Sequence, residues 1–357
     1  MDDMKIAIDC RYVLDPTNGQ FGGISEYTDG LVRALLALKT DNKFVLFFSD
    51  KYSGDLAGAA AAVEIVRVPV KRGNFFFNHF SFPRLVRSYR PDIFFVPHGQ
   101  LPLGWKGKAV ITVHDLAIYD HPEWFPGGFS HWFSTKLVVP RSLRCAEKIV
   151  SVSEATKKDL IRLFKISGDK VAVVYPAVTV TDVPSKRADK YFLCLGTIEP
   201  RKNFILAAHA IKIFHEKFPE YKLLVAGKRG WKYEAITDEF VGADFIQEIG
   251  YVSPEEKLSL LAGAQALIFP SLYEGFGLPP LEAMTIGIPV ITTRAGALPE
   301  VCGEAVRYVA TSEPNELAQA MEEMTDEATR RGFIEKGLIQ AKEFSWLKTA
   351  ERLLKVF

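Results

Sequence analysis

Residues 270–284, with the sequence PSLYEGFGLPPLEAM, constrain the fold of this chain more than any other stretch. They follow a short apolar run at residues 266–269, which is typical of a buried parallel strand. Glycines next to this run suit a tight turn, and Pro279 and Pro280 suit the first turn of a helix. The stretch therefore predicts a strand, a turn and the start of a helix.

The same junction is a candidate binding site, because ligands of open α/β sheets bind beyond the carboxyl ends of the strands. Gly275 and Gly277 would let the backbone approach a ligand closely, and a helix N-terminus favours a phosphate. Glu274 and Glu282 add two carboxylates around the turn. A lone E-G-F-G motif is equally compatible with a tight turn between solvated glutamates. The full pattern, in which a second glutamate follows inside the helix, is much more specific.

Several shorter motifs accompany this pattern along the chain: Gly22-Gly23-Ile24, His114-Asp115, Pro200-Arg201-Lys202-Asn203 and Gly250-Tyr251-Val252. In their order and spacing, they make the sequence resemble the glycosyltransferases of family 4 from about residue 5 to its end. The resemblance implies an α/β protein with the GT-B fold, in which two Rossmann-like, doubly wound parallel-sheet domains face a central cleft.

The length and the spacing of apolar runs also favour two domains. A chain of 357 residues is long for a single core. Its short apolar runs alternate with longer stretches, as in parallel βαβ units. We predict an N-terminal acceptor-side domain at residues 1–175, an interdomain linker at 176–190, a nucleotide-sugar-binding domain at 191–343, and a terminal helix at 344–357 that crosses back to the first domain.

For the first domain, the resemblance implies binding or catalytic roles for Gly22, Gly23 and His114. The family's double-glycine loop lies near the donor phosphates and the acceptor. The histidine follows a predicted strand at residues 109–113 and faces the transferred sugar, so we assign it to orienting that sugar and stabilising positive charge at the anomeric carbon. Glu26 stands where related sequences have an arginine. A Rossmann G-x-G-x-x-G motif does not follow the first predicted strand, which argues against a nicotinamide cofactor.

For the second domain, the resemblance places Lys202 on the donor diphosphate. Arg201 would take the role of an arginine that many relatives carry where this chain has Gly196-Thr197. We expect Lys202 to be solvent-accessible in an open cleft, Glu274 to face the reacting centre, and Glu282 to bind the ribose hydroxyls. The other expected donor contacts are Gly227, Tyr251, Val252, Phe276, Gly277 and Leu278.

These inferences predict a retaining, metal-independent glycosyltransferase that moves a sugar from a nucleotide-diphosphate sugar to a hydroxyl of a glycan or lipid-linked glycan. The sequence has no Asp-x-Asp motif, so we expect no metal and no cofactor. It also has no obvious carboxylate nucleophile, and the family resemblance implies front-face attack by the acceptor hydroxyl. The resemblance leans towards mannosyl- and rhamnosyltransferases of bacterial surface polysaccharides, which makes GDP-mannose the first candidate donor. Two alternatives are a GT-B nucleotide-sugar 2-epimerase and a non-catalytic nucleotide-sugar sensor.

Composition excludes some classes of partner and indicates the cellular compartment. A net charge of +1 argues against a nucleic-acid-binding protein. The acidic N-terminus lacks the apolar segment of a signal peptide, and no apolar run is long enough to span a bilayer. The four cysteines lack metal-ligand spacing, which favours reduced, buried thiols in a cytoplasmic protein.

Two segments, at residues 72–90 and 121–144, combine many aromatic side chains with arginines and lysines. Such a composition is typical of segments that bind anionic membrane surfaces, here the inner face of the cell membrane. The favoured interpretation is nevertheless a helical core face carrying solvated arginines, and a groove for the acceptor is a third.

Overall fold

The computed structural model describes residues 3–13, 22–52, 61–69, 74–179 and 189–357. The chain divides into two compact units. The first comprises Met1–Tyr119, Gly127–Ala177 and Phe344–Phe357, and the second comprises Asp120–Pro126 and Val178–Glu343. Most of the predicted linker, residues 180–188, lies outside the described residues.

The first unit is built on a parallel sheet with the strand order β3-β2-β1-β4-β5-β6-β7. Its strands are β1 (Lys5–Cys10), β2 (Lys43–Ser49), β3 (Ala62–Val68), β4 (Ile93–Val96), β5 (Ala109–Val113), β6 (Lys148–Ser151) and β7 (Val171–Val173). Its helices are α1 (Gly23–Ala37), α2 (Phe82–Ser88), α3 (Ala117–Asp120), α4 (Phe129–Phe133), α5 (Val139–Cys145), α6 (Glu154–Phe164) and the C-terminal α14 (Trp346–Leu354), with π-helical turns at Phe77–Ser81 and Ser134–Val138. The central strands are apolar on both faces because helices cover both sides of the sheet.

The second unit repeats this plan with the strand order β10-β9-β8-β11-β12-β13. Its strands are β8 (Tyr191–Leu195), β9 (Lys222–Ala226), β10 (Ile246–Gly250), β11 (Leu267–Phe269), β12 (Val290–Thr292) and β13 (Arg307–Tyr308). Its helices are α7 (Phe204–Lys217), α8 (Glu234–Thr237), α9 (Pro254–Gly263), α10 (Leu278–Thr285), α11 (Leu298–Cys302), α12 (Pro314–Glu323) and α13 (Glu327–Ala341).

Each sheet has a point at which the strand order reverses. In the first unit this switch point lies between β1 and β4, and in the second unit it lies between β8 and β11. In doubly wound sheets, the loops that leave the two strands beside such a point run to opposite faces of the sheet. Doubly wound α/β proteins bind their ligands at such points.

Helix α14 is the last element of the chain and packs within the first unit. Ser345 caps it by accepting a hydrogen bond from the backbone N–H of Lys348. Thr349 donates a hydrogen bond of 2.7 Å to the carbonyl of Tyr175, and Leu353 lies in the hydrophobic core beneath α1. Because α14 leaves little space next to α1, a Cβ atom at Gly30 would overlap the ring of Trp346.

A short segment departs from the domain bounds expected from the sequence. Asp120–Pro126 precedes the predicted linker, yet it groups with the second unit. The indole N–H of Trp231 donates to the carbonyl of Trp124, and the rings of Phe125 and Trp231 have their centroids 5.7 Å apart. This arrangement could not be predicted from the sequence, because the contact joins residues more than a hundred positions apart.

Three further features concern solvent, metals and the membrane. All four cysteines are free; Cys145 is exposed, against the expectation of burial, and the other three are buried. Across the residues that the structure describes, no helix is long and apolar enough to cross a bilayer. Within those same ranges, no group of three or more histidine, cysteine or acidic side chains could hold a metal ion.

Candidate functional site

The junction between β11 and α10 has the predicted strand, turn and helix start. Gly277 is the N-cap of α10 and has a φ of +106°, a conformation that residues with a side chain rarely adopt. Pro279 and Pro280 lie in the first turn of the helix, where their missing N–H groups cost nothing. The sequence prediction is confirmed for this element.

Gly296 supports this junction and was not singled out from the sequence. Its φ is +55°, and a Cβ atom there would lie 2.2 Å from the carbonyl oxygen of Glu274. That carbonyl accepts a hydrogen bond of 2.9 Å from the N–H of Ala297. Only glycine therefore allows the loop after β12 to hold the backbone of Glu274 from behind.

Four charged side chains, three of them buried and the fourth partly buried, form a cluster at the switch point between β8 and β11. The ammonium Nζ of Lys202 lies 2.6 Å from Oε1 of Glu274, and the guanidinium of Arg201 lies 3.0 Å from Oε2. Arg201 also contacts Oε1 of Glu199 at 2.8 Å. We refer to Glu199, Arg201, Lys202 and Glu274 as the charge cluster. Only 8% of Lys202 is exposed, so the expectation of a solvent-accessible lysine is wrong.

Backbone contacts fix the charge cluster by joining the loops after β8 and β11. The N–H of Leu272 donates to the carbonyl of Arg201 at 2.8 Å, and Arg201 donates to the carbonyl of Tyr273 at 3.0 Å. Asn203, in a left-handed conformation, ends the turn at Pro200–Lys202 and donates to the carbonyl of Pro270 at 3.2 Å. The two cations are thus held in place before any ligand binds.

Electrostatics keep Glu274 ionised. Burial would raise the pKa of its carboxyl group, but Lys202 and Arg201 hold that pKa below its ordinary value. Glu199 differs, because burial raises its pKa in spite of the neighbouring Arg201. With both carboxylates ionised, the charge cluster is formally neutral, so Glu274 partly offsets the two cations expected to face a diphosphate.

Glu282 lies inside α10 and is buried, with its carboxylate in an ion pair with Lys257 of α9. Lys257 was not predicted from the sequence. Ser253 and Glu256 form a capping box that starts α9 directly after the Gly-Tyr-Val motif. That signal places Lys257 in the first turns of a helix and could have pointed to it.

The remaining predicted donor contacts lie at the carboxyl ends of β9 and β10 or in the turn that begins α10. Gly227 follows β9, and its N–H donates to the carbonyl of Gly250 at 2.7 Å. Tyr251 follows β10 and is partly exposed, with the ammonium of Lys228 4.7 Å from its ring centroid. Val252, next to it, and Leu278, which begins α10, are partly buried, whereas Phe276 is almost fully buried.

His114 is the catalytic candidate of the first unit and directly follows β5. Its Nε2 lies 2.7 Å from the carbonyl oxygen of Pro97, which only accepts hydrogen bonds, so Nε2 must carry the proton. Burial lowers the pKa of this imidazole, which favours the neutral form. His114 can therefore act on a developing positive charge as a dipole with a lone pair on Nδ1.

Gly22 and Gly23 begin α1 in the first unit, and both are exposed. Among the residues that the structure describes, no atom would lie within 4 Å of a Cβ atom at Gly22. Gly22, Gly23 and His114 thus belong to the first unit, and all the other predicted site residues belong to the second.

Comparison with known proteins agrees with this arrangement. Residues 21–182 match the family model described as Glycosyltransferase Family 4, and residues 181–339 match the one described as Glycosyl transferases group 1. The chain is 32% identical to the O-antigen chain mannosyltransferase B of Escherichia coli over 73% of this chain and 72% of that protein. It is 29% identical to the serotype-specific mannosyltransferase WbdA of Escherichia coli over 70% of this chain and 33% of that longer protein.

A solved structure shows the same fold along nearly the whole chain. The sucrose-phosphate synthase of Thermosynechococcus elongatus superposes with a TM-score of 0.74 over 99% of this chain and 98% of that one, at 20% identity. The two family models, the bacterial relative and the two parallel sheets lead to one conclusion. The chain is a GT-B enzyme and belongs to the glycosyltransferases of family 4.

Proposed function

We propose that this enzyme is a retaining mannosyltransferase of bacterial surface-polysaccharide synthesis. It would transfer mannose, with GDP-mannose as the first candidate donor, to a hydroxyl of a glycan or lipid-linked glycan. The observation that carries the chemistry is the charge cluster at the β8–β11 switch point. The choice of mannose rests on the names of the relatives.

The charge cluster suits departure of a nucleoside diphosphate. Negative charge builds on the diphosphate as the glycosidic bond breaks, and fixed cations in a buried site stabilise that charge strongly. Lys202 and Arg201 supply those cations, and Glu274 holds them in place before the donor binds. In this proposal the acceptor hydroxyl attacks from the face that the diphosphate leaves, so the anomeric configuration is retained.

A donor screen followed by product analysis tests the proposed function. GDP-mannose should raise the melting temperature more than UDP-glucose does, because a ligand at 100 times its Kd adds about 2.7 kcal/mol of stability. With a mannose oligosaccharide present, mannose with α-configuration should appear in the product and GDP should be released. An inverted product would contradict the retaining mechanism, and conversion of the donor to another nucleotide sugar without an acceptor would instead indicate a 2-epimerase.

We expect transfer to persist after exhaustive treatment with EDTA. The two cations of the charge cluster take the place of a divalent metal at the diphosphate in this proposal. Turnover should be compared before and after chelation, and again after addition of magnesium or manganese. Loss of turnover that either metal restores would show that the leaving group needs a divalent ion.

The aromatic-basic segments support a further part of the proposal, peripheral contact with the inner face of the cell membrane. Phe82 lies in the core, whereas a group of apolar side chains is exposed on the first unit: Phe75, Phe76, Phe129, Trp132 and Leu137. We call this group the aromatic surface. Its two segments meet where the rings of Phe75 and Phe133 lie 5.5 Å apart. Residues 72 and 73 lie outside the described residues.

The composition of the aromatic surface favours an anionic bilayer as its partner. Exposed aromatic side chains suit the headgroup layer, and Lys136, which lies between Trp132 and Leu137 in sequence, is exposed beside them. A purely structural role in the core is excluded for the exposed rings, since half or more of Phe76, Phe129 and Trp132 is accessible to solvent.

Purified protein should therefore sediment with vesicles containing anionic phospholipid at low ionic strength and be released by salt, because salt screens surface attraction. Replacing both Phe129 and Trp132 by serine should abolish sedimentation. Val241→Ser is the matched control, because Val241 is an equally exposed apolar residue in the second unit. Sedimentation of the double variant at the wild-type level would remove the aromatic surface from this role.

A further inference from the structure

A second buried polar network lies at the switch point of the first unit, between β1 and β4. Asp9 is in β1 and Arg11 and Tyr12 follow it directly, while His98 follows β4. Because this is the position at which doubly wound sheets bind ligands, the network is a candidate site.

The base of the network is formed by Asp9 and Arg11, whose side chains are held by hydrogen bonds. Arg11 donates to both carboxylate oxygens of Asp9 at 2.8 Å and to Oδ1 of Asn78 at 2.9 Å. Its guanidinium also lies 3.4 Å from the ring centroid of Phe82. Asp9 is fully buried, and burial alone would raise its pKa, but Arg11 holds that pKa well below its ordinary value. Asp9 and Arg11 thus form a rigid pair with no net charge.

His98 and Tyr12 lie above this base. Nε2 of His98 is 3.2 Å from Oδ2 of Asp9, so its N–H donates a hydrogen bond to the carboxylate, which can only accept. The His98 side chain is 7% exposed, and its Nδ1 has no hydrogen-bond partner among the residues that the structure describes. The Tyr12 ring packs against the imidazole at a centroid distance of 4.3 Å, and half of Tyr12 is exposed.

The charges of the network decide which class of ligand it suits. Arg11 is neutralised by Asp9, bonded to Asn78 and only 6% exposed, so the described part of the network presents no free cation to a phosphate or a carboxylate. What is available is a half-exposed aromatic ring beside a fixed nitrogen lone pair. A neutral sugar offers both complements, namely an apolar C–H face for the ring and a hydroxyl for the nitrogen.

We propose that Tyr12 and His98 form a sugar-binding subsite for the acceptor glycan. Tyr12 packs against a pyranose face, and Nδ1 of His98 accepts a hydrogen bond from a ring hydroxyl. Asp9 and Arg11 are positioning residues that fix the tautomer and the plane of the imidazole. The assignment of this sugar to the acceptor rests on the proposed transferase function.

Direct binding of a saccharide tests the subsite without any turnover. Mannotriose is the probe, with its Kd measured by saturation-transfer NMR or calorimetry in the absence of a donor. Tyr12→Ala should weaken binding about tenfold, which corresponds to about 1.4 kcal/mol, whereas Tyr12→Phe should bind within about twofold of the wild type. Ile65→Ala, at a comparably exposed position on β3, is the control and should bind normally.

His98→Gln is the second variant, because its amide can still donate to Asp9 while the Nδ1 acceptor is lost. It should fold and weaken mannotriose binding by a similar factor. Equal binding by the wild type and both Tyr12→Ala and His98→Gln, or no binding by the wild type at millimolar mannotriose, would overturn the subsite. Turnover of nucleotide sugars by the wild type is measured separately, so failure of the transferase proposal is distinguishable from failure of the subsite.

Discussion

Replacing Lys202 by alanine is expected to lower turnover by about 10²–10³-fold, the loss typical of a group that stabilises charge only as the transition state forms. The ammonium is one of two cations at the switch point of the second unit, and it is held within 2.6 Å of a carboxylate by buried surroundings. Lys202→Arg should retain more activity than Lys202→Ala, since it keeps the positive charge. Exposed Lys106→Ala is the control.

The burial of Lys202 adds a stability effect that has to be separated from the kinetic one. Removing one partner of a buried ion pair costs about 3–5 kcal/mol, because the other charge is left without compensation. The cost should fall below that range here, since Arg201 still contacts Glu274. Melting temperatures should be measured for Lys202→Ala and for Lys202→Ala combined with Glu274→Gln. The double variant should melt higher than the single one, because the neutral amide of Gln needs no counter-charge.

Turnover of Lys202→Ala must be measured well below the melting temperature of this variant. A folded variant with near-normal turnover would contradict the role given to Lys202 and leave the diphosphate to Arg201. A variant that is inactive only where it is unfolded would assign Lys202 to stability alone.

The parts of the site that the sequence predicts correctly are those that depend only on residues close together in the chain. The conformation of the turn at Gly277 and of the first turn of α10 is set by neighbouring residues, so the local sequence pattern predicts both. The ion pair between Lys202 and Glu274 joins residues 72 positions apart. A lysine at a helix start is usually solvated, and only the packing of the loops after β8 and β11 buries this one.

In the first unit as well, contacts between residues far apart in the chain could not be predicted from the sequence. Asp9, Arg11 and His98 come together because β1 pairs directly with β4. Strand adjacency depends on the path of the whole chain, and residues 9 and 98 are 89 positions apart. The aromatic segments are a different case, because their composition is visible but their exposure is not. A core helix and a surface helix can carry the same aromatic side chains.

The second large effect is expected for Glu274, and its comparison with Glu282 separates two roles. Glu274 neutralises the cations that are expected to face the diphosphate, whereas Glu282 is inside α10 and pairs with Lys257. We assign Glu274 to the reacting centre and Glu282 to the ribose. A contact that strengthens as the anomeric carbon becomes positive acts on kcat, and a contact made equally in both states acts on KM.

Glu274→Gln should therefore lower kcat on the order of 10²-fold, by analogy with other charge-stabilising groups. Affinity for the free nucleoside diphosphate should stay within a few-fold of the wild type or increase, since the amide no longer offsets the charges of Lys202 and Arg201.

Glu282→Gln should leave kcat nearly unchanged and weaken both donor and nucleoside diphosphate by about 10–100-fold, as expected for losing a hydrogen bond to a charged group worth about 1.5–3 kcal/mol. Lys257→Ala tests the partner and should weaken donor binding less than Glu282→Gln does, because the carboxylate remains. Calorimetry with the nucleotide alone, beside steady-state kinetics, measures both constants. If Glu274→Gln abolishes nucleotide binding while Glu282→Gln binds normally, the two assignments must be exchanged, because the carboxylate at the end of β11 would then be the one that holds the ribose.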